Sequence, residues 1–239
     1  MHAEPRKRSV PSGSAPGHSL QLFYGGTFDP IHLGHLAIAR AAHEELRVPV
    51  HLVPSADPPH RAPPGANAAQ RAHMLALALD GEPGLCLDLR ELARADLNDR
   101  PSYTYDTLLD LRRALGPDRP IAWLLGADSF VALPTWHRWQ DLLTLAHLVV
   151  AERPGASLEV DLPAALAERL HASWAQAASQ LSQTPAGLVW RLRQPLRNES
   201  ASEVRARIAA GGDWRPLLPG AVAAYIADHG LYGAASLPA

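Results

Sequence analysis

The chain has 239 residues, a formal net charge of −2 and a pI near 6.6. That is room for one sizeable α/β domain, with no global basic field to draw it to nucleic acid or to an anionic membrane. Its single cysteine, Cys86, excludes an intramolecular disulfide and a cysteine-based zinc cluster and fits a reducing cytoplasm; no apolar run reaches the roughly 18 residues of a membrane span. Residues 1–18, MHAEPRKRSVPSGSAPGH, are rich in Pro, Ser and Gly. They lack an apolar stretch after Arg6, Lys7 and Arg8, and read as a disordered leader rather than a secretory signal. Short apolar runs then alternate with helical patterns. Strands are expected at LQLFYG (20–25), VPVHLVP (48–54), LCLDL (85–89), IAWLLG (121–126), HLVVAE (147–152) and LVWRLR (188–193). Helical stretches are expected at about 34–46, 67–80, 104–115, 136–145 and 161–180. Such alternation is the pattern of a βαβ series and a mostly parallel sheet in a single domain over 19–239. The C-terminal part, about 199–232, changes character: SASEVRARIAAGG and PGAVAAYIADHG are successive helices without a strand between them. Ser200 with Glu203 predicts a capping box and Gly211-Gly212 a stop; Pro219 and Gly230 bracket the last helix.

The segment GGTFDPIHLGH (25–35) lies between the first strand and the first helix. Ligands bind α/β sheets at this place. Gly25 and Gly26 let a ligand approach the backbone, and Gly34 does the same in the first helical turn. The helix N-terminus offers unpaired N–H groups and a positive dipole end, so the expected guest is an anion. His32 and His35 are three apart and fall on one face there; with the Thr27 hydroxyl they make a donor set suited to a phosphate. A zinc site would need a third ligand and a spacing of four rather than three, and would leave Gly34 without a purpose.

These residues resemble the nucleotidyltransferase superfamily, whose hallmark is an HxGH motif after the first strand of a Rossmann-like, doubly wound sheet. HIGH-type aminoacyl-tRNA synthetases share that hallmark. PPHR (58–61), PSYTYDTL (101–108), GADS (126–129), LPTWHRW (133–139), AERPG (151–155) and ESASEVR (199–205) follow in order. With them the chain is similar to the bacterial nicotinate-nucleotide adenylyltransferases from about residue 20 to Tyr232. The resemblance implies that nicotinate mononucleotide attacks the α-phosphate of ATP, giving deamido-NAD and pyrophosphate, with Mg²⁺ accompanying the nucleotide. It also implies roles. His32, His35, Thr27 and Arg205 would act on the phosphates, and Gly25, Gly26, Phe28, Gly34, Gly126, Asp128, Ser200 and Ser202 would hold ATP. Of these, Asp128 would bond the ribose, and the SASEVR helix start would grip the β and γ phosphates. His60, Tyr103, Thr104, Trp136 and Arg153 would take the mononucleotide, Trp136 by stacking on its ring; Arg61 is a weaker candidate. Asp29 is expected to fix the turn, and Trp123 and Trp139 to pack.

In the last motif Glu199 and Ser202 stand where the family has isoleucine and threonine. Glu199 puts a carboxylate near a polyphosphate site unless it turns outward. His137 replaces a tyrosine, and Ser55-Ala56 an asparagine-containing segment. The alternatives are an adenylyltransferase for nicotinamide mononucleotide or pantetheine phosphate, a non-catalytic nucleotide-binding protein, and, more distantly, a zinc-dependent hydrolase. No protein-held metal, nucleic acid or membrane partner is expected, the expected location is the cytoplasm, and a homo-oligomer is allowed.

Overall fold

The apolar runs become strands because all but the edge strand at Leu85–Leu87 are buried on both faces. In the computed structural model, residues 19–56, 65–97, 102–152, 162–194 and 199–234 are described. The strands are β1 (Gln21–Gly26), β2 (Val50–Pro54), β3 (Leu85–Leu87), β4 (Ile121–Gly126), β5 (His147–Ala151) and β6 (Val189–Leu192). They form one six-stranded sheet in the order β3-β2-β1-β4-β5-β6, with every pairing parallel. Side chains alternate between two core layers, as a pleat requires. Leu22 and Tyr24, Val50 and Leu52, Ala122 and Leu124, and Val149 and Ala151 face one layer; Phe23, Val53, Trp123, Leu125, Leu148 and Val150 face the other.

The first layer is covered by α1 (Leu33–Leu46), α2 (Ala68–Leu79), α8 (Ala201–Ala209) and α9 (Gly220–Asp228), so the C-terminal helices share their core with the sheet. The second is covered by α4 (Thr104–Leu115), α5 (Ala127–Val131), α6 (Leu142–Leu145) and α7 (Ala164–Leu170). Long polar bonds clamp the layers. Glu45 of α1 accepts the Trp190 indole N–H at 2.6 Å and the Arg193 backbone N–H at 2.9 Å. Arg112 of α4 donates to the carbonyls of Arg119 at 2.6 Å and Pro185 at 3.0 Å.

Four expectations change. The helix at 136–145 reduces to a 3-10 turn, Trp139–Asp141, and the single turn of α6; Trp136 is extended (φ −81°, ψ 148°) and Arg138 left-handed (φ 52°), which no continuous helix accommodates. The helix at 161–180 stops at Leu170, because β6 takes the following backbone: Val189 N–H donates to Ser173 and Ala175 N–H donates to Val189. A helix not expected from the sequence, α3 (Arg90–Leu97), precedes α4, with the Asp88 carboxylate accepting the Arg90 N–H at its start. At the end of α8, Gly211 (φ 66°) donates to Ile208 and Gly212 to Arg207, a Schellman stop. Its start is half of the expected box: Ser200 accepts the Glu203 N–H, but the Glu203 carboxylate pairs with Arg207.

Candidate active site

The chain leaves β1 and β4 in opposite directions across the sheet, so the carboxyl ends of these neighbours open a crevice. A cleft of about 470 Å³ lies there. It is lined by every described residue given a catalytic or binding role from the sequence except Gly34: Gly25, Gly26, Thr27, Phe28, His32, His35, Tyr103, Thr104, Gly126, Asp128, Trp136, Ser200, Ser202 and Arg205. The other predicted contacts, His60, Arg61 and Arg153, lie outside the described residues, as does the leader.

On one side of the cleft, His32 is the N-cap of α1 and only 2 % exposed. Its ring lies over that of His35, with centroids 3.7 Å apart and planes at 30°. The His32 backbone N–H donates to His35 Nδ1 at 3.4 Å, which leaves Nε2 to carry the proton of a neutral His35 ring. Phe28 meets His35 edge-on at 5.0 Å. The glycines divide by purpose. A Cβ on Gly25 would stand 2.0 Å from the Trp123 indole, and one on Gly26 would stand 2.8 Å from the Phe28 ring. Their lack of a side chain therefore serves the packing of the wall before it serves any ligand. A Cβ on Gly34 would meet the His32 ring at 3.0 Å and the Glu199 carbonyl at 3.3 Å, so Gly34 lets the starts of α1 and α8 approach each other. Gly126 alone of the four has open space, with nothing within 4 Å of such a Cβ.

The start of α8 brings Ser200 as N-cap, exposed Ser202 in the first turn, and Arg205. Arg205 Nη1 donates to the Asp29 carbonyl at 2.6 Å and lies 3.7 Å from its carboxylate. Asp29 fixes its turn as expected and does more. Its carboxylate accepts N–H bonds from Gly65 (2.8 Å) and Ala66 (3.1 Å) and the Tyr232 hydroxyl (2.7 Å). Burial, then the Asp29 bond, pushes the Tyr232 phenol well above its ordinary range. Arg71, 0 % exposed, donates to the carbonyls of Thr27 (2.8 Å) and Ser55 (2.7 Å) and to that of Ala56. It ties the loop after β1 to the loop after β2. Glu199 does not line the cleft, and one of its carboxylate oxygens is buried; its carbonyl is the part that approaches Gly34.

Across the cleft stand Trp136, Tyr103 and Thr104, with exposed His137 tilted against Tyr103 at 4.5 Å. Trp136 and Trp139 are partly buried against the second core layer, which Trp123 joins outright. Behind them is a group the sequence reading missed. Glu91, 4 % exposed, accepts the Ser102 hydroxyl at 2.8 Å and the Thr107 hydroxyl at 2.7 Å. Arg94 donates to both hydroxyls, at 2.9 and 2.8 Å, and to Asp110 at 2.9 Å. Burial pushes the Glu91 carboxyl up; the Thr107 and Ser102 bonds and the Arg94 charge oppose that. Arg71, Glu91 and Tyr232 gave little signal, since each reads as an ordinary helix or turn residue; Arg71 alone interrupts an apolar face, with Met74 and Leu75.

Among the described residues no group of three or more His, Cys, Asp or Glu is placed to hold a metal ion, and no helix is long and apolar enough to cross a membrane. Residues 23–207 match the family model described as cytidylyltransferase-like. The chain is 60% identical over 215 residues, 90% of its length and 97% of the relative's, to the "Probable nicotinate-nucleotide adenylyltransferase" of Stenotrophomonas maltophilia. It is 48% identical to that of Marinobacter nauticus, over 90% of the chain and 97% of the relative. Its fold is similar to that of the Plasmodium falciparum nicotinic acid mononucleotide adenylyltransferase complexed with NaAD. The TM-score there is 0.67 at 16% identity, covering 90% of this chain and 98% of that one.

Proposed function

The chain belongs to the nicotinate-nucleotide adenylyltransferase family of the cytidylyltransferase-like nucleotidyltransferases, and from that premise we propose that it joins ATP to nicotinate mononucleotide in NAD biosynthesis. The products are deamido-NAD and pyrophosphate. An oxygen of the mononucleotide phosphate attacks the α-phosphorus of ATP; the new P–O bond forms as the bond to the bridging β-phosphate oxygen breaks, and pyrophosphate leaves with that electron pair. The nucleophile is already an anion. No strong base is needed, and the work of the protein is placement and stabilisation of charge.

The observation that carries this reading is the convergence on one cleft of two helix N-termini, the His32–His35 pair and Arg205, opposite an aromatic wall of Tyr103 and Trp136. Both N-termini present a positive dipole end to the phosphates. His32 and His35 donate to the phosphates of ATP beside Thr27, and Arg205, Ser200 and Ser202 hold the leaving pyrophosphate. The adenosine lies past Gly25, Gly26 and Phe28, with its ribose on Asp128 and its sugar edge in the space above Gly126. Trp136 stacks on the nicotinate ring, the backbone near Tyr103 and Thr104 reads its carboxylate, and His60 and Arg153 serve its phosphate. ATP arrives as its Mg²⁺ complex. The two buried carboxylates of the cleft are committed, Asp29 to Gly65, Ala66 and Tyr232 and Glu91 to Ser102 and Thr107. The donor set thus fits an ion carried on the phosphates, where it offsets their charge, rather than one caged by the protein.

The test is pyrophosphate release from Mg-ATP with nicotinate or nicotinamide mononucleotide. Release with the nicotinate form, and much less with the amide, is expected; no release with either sinks the enzyme reading, and equal rates sink the acceptor. Trp136→Ala should raise KM for the mononucleotide by about tenfold while leaving KM for ATP unchanged, the size of a lost stacking contact. An unchanged KM would place that ring in the core alone.

A further inference from the structure

The buried ring of bonds around Glu91 adjoins Tyr103 and Thr104 at the cleft, and the reaction as described gives it no task. Its members bracket the start of α4: Ser102 precedes the N-cap Tyr103, and Thr107 lies one turn in. Both hydroxyls donate to Glu91, one to each carboxylate oxygen, and both accept from the same nitrogen of Arg94. Each hydroxyl thus bridges Arg94 and Glu91, the Thr107 hydroxyl lying also 3.3 Å from the Tyr103 carbonyl, and the two are held on either side of Tyr103 and Thr104. A further detail matters for an anion. Tyr103 gives α4 no side-chain cap, and the adjacent Ser102 hydroxyl is drawn to Glu91 instead of to the first-turn amides. Glu91 and Ser102 also line the cleft itself.

We propose that Glu91 is a positioning residue for acceptor recognition: through Ser102 and Thr107 it holds the first turn of α4 where that turn discriminates a ring carboxylate from a ring carboxamide. The inference rests on the acceptor reading above. Glu91 acts in this proposal through the two hydroxyls and not by contact with the mononucleotide. A carboxylate is suited to the task because it offers acceptors to both hydroxyls at once, whereas an amide offers an acceptor to one and a competing donor to the other. Arg94 compensates its charge, so that a second carboxylate can approach the turn.

The experiment compares wild type with Glu91→Gln, measuring KM and kcat for ATP and for both mononucleotides, with thermal unfolding as the check on folding. The variant should raise KM for nicotinate mononucleotide by at least about tenfold, as loss of a hydrogen bond to a buried charged group does, and shrink the nicotinate-over-nicotinamide preference by a similar factor. KM for ATP should stay within about twofold. An intact preference in a folded variant overturns the proposal, and so does an equal loss for ATP and both acceptors, which marks a general scaffold. Should Glu91→Gln fail to fold, Thr107→Val and Thr107→Ser replace it: the valine must reproduce the loss of preference and the serine must restore it, and any other pairing overturns the proposal. A wild type without preference for the nicotinate form sinks the acceptor reading itself, which distinguishes the two failures.

Discussion

His35 has its Nδ1 engaged by the His32 backbone N–H, which assigns the proton of the neutral ring to Nε2. His35→Ala should therefore lower kcat by at least about a hundredfold, the usual effect of removing a donor aimed at developing charge, with little change in KM for the mononucleotide. A near-normal kcat would make the ring a wall of the cleft and nothing more. Glu199 belongs to the same scale. As a residue type it puts a carboxylate near the expected polyphosphate site; in place, Glu199 is not among the residues lining the cleft, and its carbonyl lies against Gly34. That Thr27, His32 and His35 meet at one cleft was legible in the sequence because a turn between a strand and a helix in an α/β sheet lies at the crevice. Arg71 and Glu91 were not, because what matters about them is that they are buried, and burial is decided by neighbours 15 and 16 positions away, at Ala56 and Thr107.

Among the elements, the 3-10 turn Leu231–Gly233 carries more than its length implies. It delivers the Tyr232 hydroxyl to Asp29, and the Tyr232 ring fills the place where a Cβ on Gly65 would sit, 2.8 Å away. Tyr232→Phe should cost about 1.5–3 kcal/mol, the worth of a hydrogen bond to a buried carboxylate, and raise KM for ATP because Arg205 shares that carboxylate. Urea unfolding and ATP kinetics check both halves; a loss of stability with unchanged ATP kinetics would confine the turn to a structural role. Strands were legible at this scale almost to the residue, as a run buried on both faces admits little else. The helices at 136–145 and 161–180 were not, since local pattern does not reveal that Arg138 adopts a left-handed backbone or that β6 takes the backbone of Ser173 and Ala175.

For the whole molecule, pH sets two buried groups against each other. His147, fully buried between β5 and the segment before β6, bonds the Thr184 carbonyl at 2.8 Å through Nε2 and accepts the Leu188 N–H at 3.1 Å through Nδ1, an arrangement only the neutral ring can make. Burial lowers its pKa, so its contribution is complete above the ordinary imidazole value of about 6.5 and drains away as pH falls below it, by at most about 1.4 kcal/mol per pH unit. Glu91, raised by burial, works in the other sense: its contribution is full below the ordinary carboxylate range and is lost as pH rises through its folded value. The urea midpoint should fall between pH 7 and 5.5, and His147→Asn, weaker at pH 7, should lose less over that interval; parallel slopes would remove His147 from the account. Doubly wound architecture was readable from strand and helix alternation alone, while the covering of one face by the C-terminal helices was not, because both are short and amphipathic and do not say which layer they join. The bond from Tyr232 to Asp29 spans 203 positions. Ribosomes deliver a chain in order at roughly 5–20 residues per second, so the loop after β1 waits on the order of ten to forty seconds for its last partner. A nascent chain can thus hold all six strands together with His32 and His35 while the loop after β1 still lacks its bond to Tyr232.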